Sequence, residues 1–506
     1  MPMTREIKIF FILAAAITAY RIYYLSLEEF NLFFDEAQYW YWAQTFDWGY
    51  YSKPPMVAWL ISLTTGICGD TEGCVRLASP LLHFITSVTI YFIAQELYKD
   101  EKAALFSGLA YATLPAVSVS SALISTDPPL LTFYALSLLF FIKAVKEESY
   151  KHWILAGITA GFGMMSKYNM LLFLLSAMLY MFLSPDNRKH LKDKGFWTAC
   201  VIAGLIFLPN VIWNFNNGLV SFLHTKDNAQ GEGFSLHFDK MFEFLGSQFG
   251  VFGPIFFGTL LFILFKVIKS CKTDDETKLL LCFTLPLLLV ITTVSLLSRA
   301  HANWAAPIYV PATVLVCAYL LQNNRKKLII ASFAIHIIAA GLLTNFYKLD
   351  NIPNIEIAGS KTKIANGKLF IKDPFKRVHG WEELGQGVIV LLDSYPDATV
   401  LTDSRKIHSE LLYYARPRAY DAVKWNPTGN RGDHFEVTTD IREAKTKDFL
   451  YITANNSADK MDNYFESVER VGNVHIPLYE DFDIDFYFYY LKGFKGYDTE
   501  NNEISP

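Results

Sequence analysis

The chain has 506 residues, of which 52% are apolar, 16% aromatic and only 19% charged, with a mean hydropathy of +0.22. Those values exclude a disordered chain and an ordinary soluble globular one, and a net charge of −4 without a basic block excludes nucleic acid as a partner. Charge is also unevenly spread, because 46 of the 94 Lys, Arg, Asp and Glu fall after residue 346. The expected organisation is an α-helical polytopic membrane domain over residues 1–346, followed by a soluble α/β domain over 347–506.

A helix needs about 20 apolar residues to cross a bilayer, and the first 346 residues divide into about eleven such stretches. They run at 7–27, 75–97, 103–122, 128–145, 152–167, 168–184, 196–213, 247–268, 278–298, 302–321 and 327–346. The first, with Arg5 and Lys8 ahead of Ala14-Ala15-Ala16, reads as an uncleaved anchor, because its apolar run continues through Tyr24 and Leu25. Loops on one side of the eleven stretches carry 18 Lys and Arg, and those on the other carry six: Lys53, Arg76, Lys167, Lys226, Lys240 and Arg299. Positive loops stay inside, so the N-terminus is expected in the cytoplasm and the charged tail outside.

The unusual polar residues gather on the expected outer side. The first outer loop, from Glu28 to about Gly73, carries the acidic pair Asp35-Glu36, then Tyr39, Trp40, Tyr41, Trp42, Trp48, Tyr50 and Tyr51, then Lys53 before Pro54-Pro55. Aromatic density of that kind suits short helices in the interface and an anchoring belt. A carboxylate among aromatic rings at the membrane surface is costly unless paired or used, which makes Asp35 a catalytic candidate. Glu36 is either a second catalytic acid or a group that fixes the loop. Cys68 and Cys74 flank the segment after it, where two free thiols and a disulfide are both open.

The second outer loop ends in Ser125-Thr126-Asp127-Pro128-Pro129. Asp followed by Pro at a helix start reads either as a cap or as a second acidic group lining a site. Lys167 and Arg299 either snorkel at helix ends or join Lys53 in a cationic cluster able to hold a phosphate. His301 beside Arg299 is a structural side chain, a hydrogen-bonding group or a metal ligand. The loop after the seventh stretch, rich in Asn and Gly, has the composition of a mobile cover for a site.

Five motifs then carry a family resemblance. Phe34-Asp35-Glu36-Ala37-Gln38-Tyr39-Trp40, Gly49-Tyr50-Tyr51-Ser52-Lys53-Pro54-Pro55, Thr126-Asp127-Pro128-Pro129, Ser166-Lys167-Tyr168 and Arg299-Ala300-His301-Ala302-Asn303-Trp304 occur in that order. Together they resemble the bacterial branch of the dolichyl-phosphate-mannose protein mannosyltransferase superfamily. These are integral-membrane glycosyltransferases of the GT-C fold, which include the lipid A aminoarabinose transferase. The resemblance implies transfer of one sugar from a polyprenyl-phosphate carrier, such as undecaprenyl phosphate, to lipid A or another envelope glycolipid on the outer face of a cell inner membrane. By motif, Asp35 matches the catalytic aspartate, Asp127 the second-loop acid, and Lys53 and Arg299 the cations around the carrier phosphate, with Lys167 beside them. Tyr39, Tyr51, His301, Asn303 and Trp304 are expected to line the substrate cavity. No cofactor is implied with certainty, and a divalent metal stays open. Ser52 stands where the aminoarabinose branch has glutamate, which removes support for a metal contact there and for aminoarabinose as the sugar. Protein O-glycosylation is the alternative within the enzyme class. A lipid-carrier flippase is the rival outside it, and it would place ionisable groups near mid-membrane rather than at one face.

In the tail, strand-like runs at Ala398–Thr402, Phe449–Thr453, Val471–Ile476 and Asp485–Leu491 alternate with helical ones at Trp381–Ser394 and Arg405–Ala415. That pattern predicts a small α/β domain in the periplasm, accessory to chemistry done elsewhere.

Overall fold

A computed structural model describes residues 4–27, 29–229, 236–270, 273–360, 362–365 and 367–497. It resolves into two compact units: Met1–Leu27 with Phe46–Thr344, and Glu28–Thr45 with Asn345–Pro506. Glu28–Thr45, which the linear reading assigns to the membrane domain, therefore packs with the C-terminal residues. The cause is ring packing: Trp40 sits edge-on to Tyr413 at 4.9 Å, and Arg416 covers both rings.

The first unit is helical. Among the described residues, seven helices are long and apolar enough to cross a membrane: Arg5–Leu25, Glu72–Tyr98, Asp127–Glu147, Lys194–Asn216, Asp275–Leu297, Ala302–Gln322 and Lys326–Thr344. The other predicted spans form shorter helices, Tyr150–Ser166, Leu171–Leu183 and Pro254–Ser270 among them. The stretch at 103–122 breaks into Glu101–Thr113 and Pro115–Ser120, as expected where Pro115 cannot donate an amide hydrogen.

Helix starts follow capping chemistry. Asp193 accepts the Gly195 amide and Asp274 the Thr277 amide, at 2.8 and 2.7 Å. Inside the unit, helices approach closely through small residues: a Cβ on Gly157 would lie 2.6 Å from the Ala199 carbonyl oxygen, so the Tyr150–Ser166 and Lys194–Asn216 helices meet backbone to backbone. Large apolar side chains such as Ile12, Val201, Leu205, Phe265, Ile268, Ile337 and Ile338 remain exposed on the outer helices, the surface a lipid-facing protein presents. The loop after the first span adds a 13-residue apolar helix, Met56–Cys68, and Cys68 is disulfide-bonded to Cys74.

Among its described residues the second unit holds eight strands: β1 (Ile355–Ala358), β2 (Lys363–Ala365), β3 (Lys368–Lys372), β4 (Thr399–Thr402), β5 (Val423–Lys424), β6 (Phe449–Thr453), β7 (Phe465–Tyr479) and β8 (Phe482–Phe494). A small sheet has the order β1-β3-β2, and the main sheet the order β5-β4-β6-β8-β7. In the main sheet β5, β4 and β6 run parallel, and β8 and β7 complete it antiparallel. Alternation within β4 and β6 sends Val400, Leu450 and Ile452 to a core with Leu384, Val388 and Leu411 from the helices Trp381–Ser394 and Arg405–Tyr414. Leu401, Phe449 and Tyr451 go to a second core with Trp425 and Phe465. Burial on both faces is why these strands read as continuous apolar runs.

Candidate active site

Lys53 sits at the end of a tight turn in which Tyr50 and Lys53 exchange backbone hydrogen bonds. Two polar side chains pin that turn to the helices. Asn210 Nδ2 donates to the Trp48 carbonyl at 2.7 Å, and Ser221 Oγ donates to the Tyr50 carbonyl at 2.5 Å. Gly49 lies between these anchors, where a Cβ would fall 2.5 Å from the Trp213 ring and 2.8 Å from Asn210 Nδ2. Only glycine fits there without displacement. Tyr51 follows, buried, its ring 5.4 Å from that of His224.

Asp127 opens the Asp127–Glu147 helix, with Pro128 in the first turn. Its side chain does not cap. Instead Oδ1 accepts from Lys167 Nζ and Oδ2 from Asn303 Nδ2, both at 2.6 Å. Three loop motifs separated by up to 176 residues thus converge on one carboxylate. The Ala302–Ile308 turn that carries Asn303 is itself anchored, with Gln248 donating to the Ala302 carbonyl and Asn169 to that of Trp304. The Trp304 ring lies 5.7 Å from His301. Burial lowers the pKa of His301, and Arg299 and Lys167 lower it further by repelling a second positive charge. Burial and the two neighbouring cations thus both disfavour the charged imidazole. Lys167 and Arg299 are thus near enough to His301 to act on its charge, which brings together donor-bearing side chains of two of the motifs.

Asp35, Glu36 and Tyr39 belong to the second unit, on the helix Phe34–Ala43. Glu36 is buried and its Oε2 accepts the Phe33 amide at 2.9 Å, closing the start of that helix. Its geometry is that of a group fixing the loop. Tyr39 is buried against Trp42, with ring centroids 5.2 Å apart. Asp35 differs from both: its side chain is 38% exposed and its Oδ1 accepts from Arg405 Nη1 at 2.9 Å. Arg405, at the start of the Arg405–Tyr414 helix, is the partner of Asp35 that sequence reasoning missed. It lies 370 residues from Asp35 and in no motif, so no sequence signal pointed to it. Among the described residues no group of three or more His, Cys, Asp or Glu is gathered to hold a metal ion. Residues 230–235 of the Asn-rich loop lie outside the described residues; its flanks form the helices Val220–Ala229 and Phe238–Val251.

Comparison with known proteins decides the family. Residues 52–213 match the dolichyl-phosphate-mannose-protein mannosyltransferase family model. The chain is 30% identical over 437 residues to the lipid A galacturonosyltransferase RgtD of Rhizobium johnstonii, covering 86% of this chain and 89% of that one. The chain belongs to this superfamily of GT-C glycosyltransferases. Another member, the undecaprenyl phosphate-alpha-4-amino-4-deoxy-L-arabinose arabinosyl transferase of Pseudomonas aeruginosa, is 28% identical over 163 residues, 31% of this chain and 29% of the relative. Of solved GT-C structures, ArnT from Cupriavidus metallidurans bound to undecaprenyl phosphate superimposes with a TM-score of 0.61, covering 95% of this chain and 97% of that one at 14% identity. The GT-C fold expected from the motifs is thus the fold of this chain, a multi-pass membrane glycosyltransferase.

Proposed function

We propose that the protein transfers a single sugar from a polyprenyl-phosphate donor to lipid A or a related envelope glycolipid. The observation that carries this reading is the 30% identity to a lipid A galacturonosyltransferase over nearly the full length of both chains. Galacturonic acid is accordingly the sugar to test first, in keeping with Ser52 in place of the aminoarabinose branch's glutamate. The reaction is read as occurring on the outer face of the inner membrane, with the N-terminus cytoplasmic and residues 347–506 periplasmic, as loop charge favours.

The chemistry assigns each group a task. Attack at the anomeric carbon expels a lipid phosphate, whose developing charge Lys53, Arg299 and Lys167 stabilise. Asp35 takes the proton of the acceptor hydroxyl as that oxygen bonds to the anomeric carbon, and the sugar is transferred with inverted configuration. Exposure supports this division between the two acids: Asp35 has a side chain 38% exposed, whereas that of Asp127 is 9% exposed with both oxygens already accepting. Asp127 is read as the organiser of Lys167 and Asn303.

The test is Asp35→Asn in the full-length protein, given radiolabelled polyprenyl-phosphate galacturonic acid and lipid A. Transfer should fall by about 10²- to 10⁴-fold, the usual worth of a general base, with the thermal unfolding midpoint unchanged. Wild-type rates in the variant would overturn the mechanism. Mass spectrometry of lipid A from cells with and without the protein separates lipid from protein acceptors.

A further inference from the structure

We infer that Arg405, from the C-terminal region, is the positioning residue for the catalytic carboxylate, an inference that rests on the reading of Asp35 as the base. Its guanidinium meets one surface of the Phe34–Ala43 helix. Nη1 donates to Asp35 Oδ1 at 2.9 Å and to Gln38 Oε1 at 2.6 Å, while the guanidinium carbon lies 4.8 Å from the centre of the Phe34 ring. Phe34, Asp35 and Gln38 stand at i, i+1 and i+4, so one planar group contacts all three at once.

Stability does not account for the contact. Asp35 and Arg405 are each about one-third exposed, at 38% and 32%, and an ion pair that open contributes only about 0–1 kcal/mol. The two helices are also held by other means: Trp40 packs on Tyr413, and the Leu32 amide donates to Tyr414 Oη at 2.7 Å. What Arg405 adds is direction. Gln38 is buried, so its carbonyl oxygen is a fixed second anchor for the guanidinium, and the guanidinium in turn fixes Asp35 Oδ1. Among the described residues Oδ2 of Asp35 makes no hydrogen bond. A carboxylate held by one oxygen and open at the other is arranged for general-base work.

In the step this serves, the acceptor oxygen forms its bond to the anomeric carbon as the bond from that carbon to the phosphate oxygen breaks. The hydroxyl proton passes to Asp35 Oδ2 and then to water, and the electron pair leaves with the polyprenyl phosphate. Arg405 touches neither substrate in this scheme and acts through Asp35.

Full-length Arg405→Ala, assayed with the same donor and acceptor, should lose about 10- to 100-fold in kcat, part of the general-base contribution, with KM for the donor within about twofold of wild type. Millimolar guanidinium ion should restore part of the lost rate, and urea should not. A structural role would not show that difference. Arg405→Lys, which keeps the charge and loses the fork, should fall between wild type and Arg405→Ala; it also serves if the alanine variant does not fold. In an Asp35→Asn background, Arg405→Ala should cost no further rate. Wild-type kcat in a folded Arg405→Ala, or a loss confined to donor KM, overturns the inference while an inactive Asp35→Asn leaves the base assignment standing. An active Asp35→Asn overturns the base assignment itself.

Discussion

Asp127 and Lys167 have side chains 9% and 19% exposed, so neither charge keeps much water of its own. A buried pair of this kind contributes little over an apolar replacement, but removing one partner strands the other. Asp127→Asn leaves the Lys167 ammonium facing an amide, and Asn303 loses its acceptor. The expected cost is about 2–3 kcal/mol of stability, below the ~3–5 of a fully enclosed pair because Lys167 can swing partly outward. Transfer should fall with it. The double variant Asp127→Leu with Lys167→Met should recover most of the lost thermal midpoint in detergent and none of the activity. Equal stability of Asp127→Asn and wild type would show that the pair is solvated and its geometry incidental. The same residue shows how far a single chain can be read. That Asp127 starts a helix is written in Asp-Pro-Pro, but that its side chain reaches Lys167 and Asn303 rather than the helix amides depends on groups 40 and 176 residues away.

Elements follow the same rule. Strands β4 and β6 were legible because burial on both faces leaves apolar runs bounded by polar residues, and the Arg405–Tyr414 helix because its apolar positions recur every three or four residues. Strands β1, β2 and β3 were not, since they are short and the last two are largely solvent-facing, with Lys363, Lys368 and Lys372 among their residues. The broken stretch at 247–268, interrupted between Val251 and Pro254, read as one span because hydropathy does not register a backbone turn. The Tyr50–Lys53 turn carries an element-scale prediction. Gly49→Ala places a methyl group 2.5 Å from the Trp213 ring, so the turn or the ring must shift by about 1 Å, and Lys53 shifts with the turn. If Lys53 grips the carrier phosphate, KM for the donor should rise by about tenfold or more while the protein stays folded, as a misplaced charge loses donor binding. An unchanged donor KM with a lowered thermal midpoint would mean that the turn is a structural feature alone.

At the scale of the whole molecule, the charged tail that composition sets apart carries a dependence on acid in two buried histidines. His408 and His434 are buried in the second unit, His408 bonded through Nδ1 to Thr402 Oγ1 at 2.9 Å and His434 enclosed by the rings of Trp42 and Phe435. Burial pushes His408 down to about 3 and His434 down to about 4; Asp433 opposes the shift in both, while Lys424 and His434 add to it at His408 and Arg405 adds to it at His434. In the unfolded chain both imidazoles titrate at the ordinary value of about 6.5. Between that value and the folded ones the unfolded chain binds more protons, so stability is intact above pH 6.5 and falls as the pH drops. The loss amounts to about 3 kcal/mol for each histidine by pH 4. Hydrogen exchange in the full-length protein should show it as declining protection of β4 and β6 between pH 6.5 and 4, after correction for intrinsic exchange rates. His408→Asn with His434→Phe should flatten the decline by removing both protonation sites. Because Trp42 shares the Phe34–Ala43 helix with Asp35, transfer should be lost over the same pH range, and the double variant should extend activity toward lower pH. Protection that stays constant from pH 7 to 4 would mean that the two imidazoles reach water in the folded state.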